Sequence, residues 1–118
     1  MDLNAVMARI QENPDFSRAG MVLIHCGVVR SFDLQGRDVE SLEIRVNAER
    51  AEEIRAEMLD RPGIVEIVVE FNPGKLTVGD PIMLAAVAGG TRPEVFPVLK
   101  ELVDKLKREG VTKTEQLA

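Results

Sequence analysis

The sequence contains no tryptophan or tyrosine, and it has only one cysteine and one histidine. A lone Cys26 excludes an internal disulfide and any multi-cysteine zinc site, and one histidine cannot make a metal site alone, so neither metal nor cofactor is expected. The missing aromatics and a net charge of -5 argue against a general nucleic-acid surface, which draws on basic patches and stacking platforms. No uncharged apolar run approaches the roughly 18 residues needed to span a bilayer. The opening stretch MDLNAVMARI lacks the basic region, apolar block and cleavage site of a secretion signal. A cytoplasmic protein with no membrane contact is the expectation.

What is present suits one hydrophobic core. The 118 residues are 45% apolar and 30% charged, and residues 1–118 read as a single domain. Leu3, Val6, Met7 and Ile10 fall at helical spacing behind an Asp2 cap, and Asn13-Pro14 ends the pattern. GMVLIHCGVV reads as a buried strand, VESLEIRV as a half-covered one, and AERAEEIRAEM as a helix capped by Asn47 with Ala51, Ile54 and Met58 inward. IVEIVVEF alternates, KLTVGD is a short strand, and PIMLAAVA is a strand buried on both faces. A last helix carries Val95, Phe96, Leu99, Leu102, Val103 and Leu106, with Gly110 expected as its C-terminal cap and Pro97 expected to bend it or delay its start. This order predicts an α+β fold, a mostly antiparallel sheet with helices packed mainly on one side.

Two clusters invite a chemical reading. In AGGTRPEVF, Thr91 and Glu94 form a capping-box pattern, but Arg92 places a cation where the helix dipole disfavours one by about 0.3–1 kcal/mol. A bound anion reverses that sign, because free helix N-H groups, the flexible Gly89-Gly90 and a guanidinium suit a phosphate or carboxylate. Lys100, Lys105, Lys107, Arg108 and Lys113 form a local basic stretch on an acidic chain. Cys26 reads as buried packing, and His25 as a side chain near the sheet surface on the opposite face from it.

The frame AGMVLIHCGVVRSF, then GKLTVGDPIMLAAVAGGTRPEVF, then DKLKREGVTK resembles the large, catalytic subunit of molybdopterin synthase over residues 19 to 113. Gly27, Val29 and Arg30 match a Gly-x-Val-Arg strand end. Gly74, Leu76, Gly79 and Asp80 match a Gly-x-Leu-x-x-Gly-Asp turn. Arg92 matches the arginine before the last long helix. The resemblance implies an α/β hammerhead fold and a homodimer, each subunit binding a small ubiquitin-like sulfur carrier whose Gly-Gly C-terminus ends in a thiocarboxylate. It implies sulfur transfer to cyclic pyranopterin monophosphate, giving molybdopterin for molybdenum cofactor biosynthesis. Lys107 and Lys113 match the catalytic lysines, and Arg30, Thr91 and Arg92 the substrate-binding segment.

The match has gaps. Thr91 stands where the family carries histidine, SFD replaces an Asn- or His-rich loop after Arg30, and GVTK is one residue shorter than the family's tryptophan-lysine segment. These departures keep a second expectation open: a catalytically silent paralogue that binds the carrier or a phosphorylated pterin.

Overall fold

The strand Pro81–Gly89 (β5) is apolar on every residue but its last, and its neighbours explain why. In the computed structural model, which describes residues 1–118, β5 is the middle strand of an antiparallel sheet between β1 (Met21–Val28) and β3 (Ile64–Phe71). Met83, Ala85 and Val87 point to one face, where they meet α2 (Ala48–Leu59) and α3 (Arg92–Lys105). Leu84, Ala86 and Ala88 point to the other, where they meet Val6 and Ile10 of α1 (Leu3–Gln11). Alternating side chains therefore serve two cores at once, with two helices on one face and one on the other.

The caps hold as expected for the first two helices. Asp2 accepts the Asn4 N-H at 2.9 Å and Asn47 accepts the Arg50 N-H at 3.0 Å, each satisfying a helix-end donor that lacks an intrahelical partner. Pro97 does not delay α3, which is already helical from Arg92. The bond it forgoes is the one to the carbonyl of Pro93, and both residues are exposed, so water can replace it.

A second antiparallel sheet was not expected. β2 (Val39–Val46) pairs with β4 (Gly74–Thr77) on one side and with β6 (Val111–Leu117) on the other. Gly110 does not cap α3, since the glycines with left-handed φ are Gly36, Gly63, Gly74 and Gly79. Instead α3 widens into a π turn over Leu106–Gly110 and runs directly into β6. A Cβ at Gly110 would lie 3.3 Å from Leu106 Cδ2, a tight contact that the flexible leucine end can relieve, and at an ordinary 3.7 Å from the Ala51 Cβ of α2.

The two sheets follow one another along a molecule 48 Å long and 25 Å across. A third apolar cluster, Val29, Leu42, Ile44 and Leu76 with Val46 and Ile82 against it, joins them. No helix is long and apolar enough to cross a membrane.

The end of β5 leaves no room for a side chain. A Cβ at Gly89 would sit 2.6 Å from Val95 Cγ2 and 2.7 Å from the Gly63 carbonyl oxygen, inside normal contact distance. Gly89→Ala is expected to cost about 1–3 kcal/mol, the usual range for overpacking, read as a lower midpoint in chemical denaturation. An unchanged midpoint would show that this junction yields.

Candidate active site

Three distant segments converge on the junction between the sheets. Directly opposed residues in an antiparallel pair share a face, and β2 turns Leu42 and Ile44 inward, both buried. Their partners on β6 are Glu115 and Lys113, so pairing carries Lys113 to the same side as the joining cluster. Lys107 arrives on the π turn, where an extra residue per turn displaces side chains from their α-helical positions. Arg30 follows β1, whose pairing with β5 slips between Gly27 and Val28. The chain beyond it is fixed by Val29 N-H donating to the Asp80 carbonyl at 2.9 Å and Gly79 N-H donating to the Val29 carbonyl at 2.8 Å. Gly79 makes this turn at φ +92°, a conformation open to glycine at little cost.

Between them lies a cavity of about 360 Å³ lined by Arg30, Phe32, Ile82, Lys107, Lys113 and Glu115 among others. Its floor is apolar and its rim cationic. None of Arg30, Lys107 and Lys113 is ion-paired, whereas Lys105 is shared between Glu57 at 3.6 Å and Glu101 at 3.9 Å. Lys105 therefore points out of the site, and its nearness to Lys107 in sequence does not carry into the cavity. Glu115 is the one acidic group in the lining, which leaves a net positive mouth suited to an anion.

The loop after Arg30 is held rigidly. Asp33 is buried, and its Oδ1 accepts the Gln35 and Arg37 N-H groups at 2.9 and 2.8 Å while its Oδ2 accepts Arg37 Nε at 2.7 Å. Desolvation opposes its ionisation, yet the hydrogen bonds from Arg37 and Gln35 together outweigh it and hold the carboxyl below the usual carboxylate range. Arg30 Nε donates to the Phe32 carbonyl at 2.9 Å, and its guanidinium lies 5.5 Å from the centre of the Phe32 ring.

Thr91 and Arg92 are elsewhere. Both are exposed at the start of α3, at the far end of a helix about 20 Å long by its rise of 1.5 Å per residue. The Thr91 hydroxyl donates to Glu94 Oε1 at 2.8 Å and takes no backbone N-H, so only part of the capping box forms. Arg92 has no carboxylate partner, and within one protomer neither residue reaches the cavity.

Cys26 is exposed, against the expectation of buried packing. It shares a face of β1 with Val22 and Ile24, which pack towards α1, but that cover ends before Cys26. His25 faces the other way, in a groove with Phe96, Lys100 and Asp104 of α3. Its Nε2 is buried without a hydrogen-bond partner. Burial first, and the Lys107 charge second, push the imidazole below its ordinary value. Phe32 and Glu115 line the cavity and Asp33 braces its loop, roles that the residue pattern alone does not mark. The alternation of Val111, Lys113 and Glu115 with threonines and Gln116 is the strand signal that marks the β6 face. No cluster of His, Cys, Asp and Glu with metal-ligand geometry is present.

Residues 1–109 match the family profile described as MoaE protein. The chain belongs to the MoaE family. A molybdopterin synthase catalytic subunit from Pyrococcus abyssi is 36% identical over 96 residues, covering 78% of this chain and 64% of that protein. The chain thus spans a little under two thirds of that relative's length. The structure of molybdopterin cofactor biosynthesis protein E from Burkholderia multivorans is 30% identical and superposes with a TM-score of 0.77, covering 100% of this chain and 84% of that one. A complex of subunits 1 and 2 of molybdopterin-converting factor from Helicobacter pylori contains a chain of the same fold, with a TM-score of 0.73 at 16% identity over 99% of this chain and 80% of that one. The α+β architecture expected from the sequence is therefore that of MoaE proteins.

The depressed His25 pKa gives a pH dependence with a definite sign. In the unfolded chain His25 takes up a proton near pH 6.5, which the folded protein resists, so its contribution is fully present above that pH and is lost as pH falls through the folded value. Thermal midpoints recorded from pH 7 to pH 5 should fall more steeply for the wild type than for His25→Phe. The variant should also gain up to about 1 kcal/mol from removing an unpaired polar atom. Parallel curves would contradict the assignment.

Proposed function

We propose that this chain is the catalytic subunit of a molybdopterin synthase, transferring sulfur from the C-terminal thiocarboxylate of a small ubiquitin-like carrier to cyclic pyranopterin monophosphate in the cytoplasm. The observation that carries this reading is the gathering of unpaired Arg30, Lys107 and Lys113 around one cavity. Both substrates are anions. Arg30, held on a rigid loop, is a fixed fork for a phosphate or carboxylate. Lys107 and Lys113 are positioned to stabilise the charge on the carrier terminus and to move protons as sulfur leaves it. Membership of the MoaE family and the named activity of the Pyrococcus relative support the same reading. The Helicobacter complex supports a two-subunit assembly.

Thr91 and Arg92 serve this site across a homodimer, with the α3 start of one protomer brought to the cavity of its partner. That reading reconciles an unpaired Arg92 at a glycine-flanked helix start with its distance from Lys107 in the same chain. The alternative, a silent paralogue, draws on one specific observation: the Thr91 hydroxyl, at the position of the family histidine, is engaged by Glu94.

Incubation with thiocarboxylated carrier and the cyclic precursor should yield dithiolene product. Lys107→Ala should lower the rate about 10²- to 10⁴-fold, the usual reach of a positioned proton-transfer group, while carrier binding persists. Absence of product with the intact protein, beside a working synthase, favours the silent paralogue. A second test addresses the dimer. Arg92→Ala and Lys107→Ala chains, each inactive alone, should regain activity when co-expressed, because one site of the mixed dimer then has both residues. No recovery in isolated mixed dimers would contradict shared sites.

A further inference from the structure

Phe32 lies in the cavity lining with its ring half exposed. Its 51% exposure is matched by Val28 in the same lining at 54%, so its chemistry and not its exposure sets it apart. Of the four phenylalanines, Phe16 and Phe71 pack against the cores and Phe96 lies in the separate groove beside α3. With no tryptophan or tyrosine in the chain, Phe32 is the only aromatic ring the cavity can offer.

Its exposure is not slackness. Phe32 bridges to Asp38 across the loop, Val39 N-H donates to the Ser31 carbonyl at 2.9 Å, and the buried Asp33 carboxylate ties Gln35 and Arg37. The backbone on both sides of the ring is thus fixed before any ligand arrives. A backbone already held in place leaves only the ring's own torsions to be ordered on binding, and preorganisation of this kind gains affinity. Arg30 is held to the same loop by its bond to the Phe32 carbonyl, so a flat apolar surface and a guanidinium are presented together.

We propose that Phe32 is a specificity-determining residue whose ring stacks on the flat pyrimidinone ring of the reduced pterin substrate while the adjacent Arg30 takes its phosphate. The substrate class rests on the function proposed above; the stacking role itself rests on the loop. The pairing selects a ligand that has both parts. A phosphate ester without a flat ring engages Arg30 alone, and a neutral heterocycle engages Phe32 alone.

The test uses the full chain as the dimer, with cyclic pyranopterin monophosphate as the probe and inorganic phosphate as the ring-free control. Phe32→Leu and Phe32→Ala should raise the dissociation constant for the pterin about tenfold, a typical loss for an aromatic stacking partner. They should leave phosphate competition and carrier affinity within about twofold, a margin set by ordinary surface substitutions. Phe32→Trp should bind as the wild type and, as the only indole in the protein, should lose emission when the pterin is added. Thermal midpoints confirm that each variant is folded. Wild-type affinity in Phe32→Leu, or a loss confined to carrier binding, overturns the stacking role while leaving the proposed function standing. A wild-type protein that binds no pterin overturns both.

Discussion

The passage from α3 into β6 through the π turn is the constraint on which the rest depends. It joins the helical layer to the second sheet, and it is pinned where the Asn47 N-H donates to the Gly110 carbonyl at 2.8 Å, at the start of α2. A helix continued as an α-helix would carry Lys107 along a different direction, and without β6 there is no strand to set Lys113 opposite Ile44. The same few residues therefore close the core over Ala51 and Leu106 and place two of the three cations of the cavity.

Folding itself gains nothing from bringing these cations together. Unpaired like charges around a cavity repel, and only screening and Glu115 soften the effect. Elsewhere the chain pairs its cations readily: Arg50 meets Glu53 and Glu109 at 2.9 Å each, and Arg55 meets Glu52 at 2.8 Å. Arg18, Lys75, Arg92 and Arg108 outside the cavity are unpaired too, so what distinguishes Arg30, Lys107 and Lys113 is that three free cations line one cavity, an arrangement suited to an external anion. The apolar floor from Leu42, Ile44 and Ile82 lowers the local dielectric and strengthens that attraction.

Much of this was legible in the sequence because it follows local rules. The caps at Asp2 and Asn47, the alternation of β2 and β3 and the doubly buried β5 each announce themselves within a window of about ten residues. The resemblance located Arg30, Lys107 and Lys113, which do share a cavity. What was illegible depends on partners far away in the chain. VTKTEQL has almost no apolar signal, since β6 is an edge strand whose one useful face borders a cavity rather than a core. Gly110 was read as a helix stop, whereas the chain there leaves the π turn for β6 and its carbonyl accepts from Asn47, far earlier in the chain. Cys26 was taken as packing because a strand-borne cysteine usually is; the cover over its face simply ends too soon. Arg92 lies outside the cavity within one protomer, a separation that residue spacing does not encode.

On the proposed function, the junction between the sheets is an anion site built by Arg30, Lys107 and Lys113. A crystal structure of the protein with cyclic pyranopterin monophosphate would decide it. The phosphate should lie in the cavity, within hydrogen-bond reach of Arg30 and at least one of the two lysines. Ligand bound on another surface, with these three side chains left facing water, would contradict it.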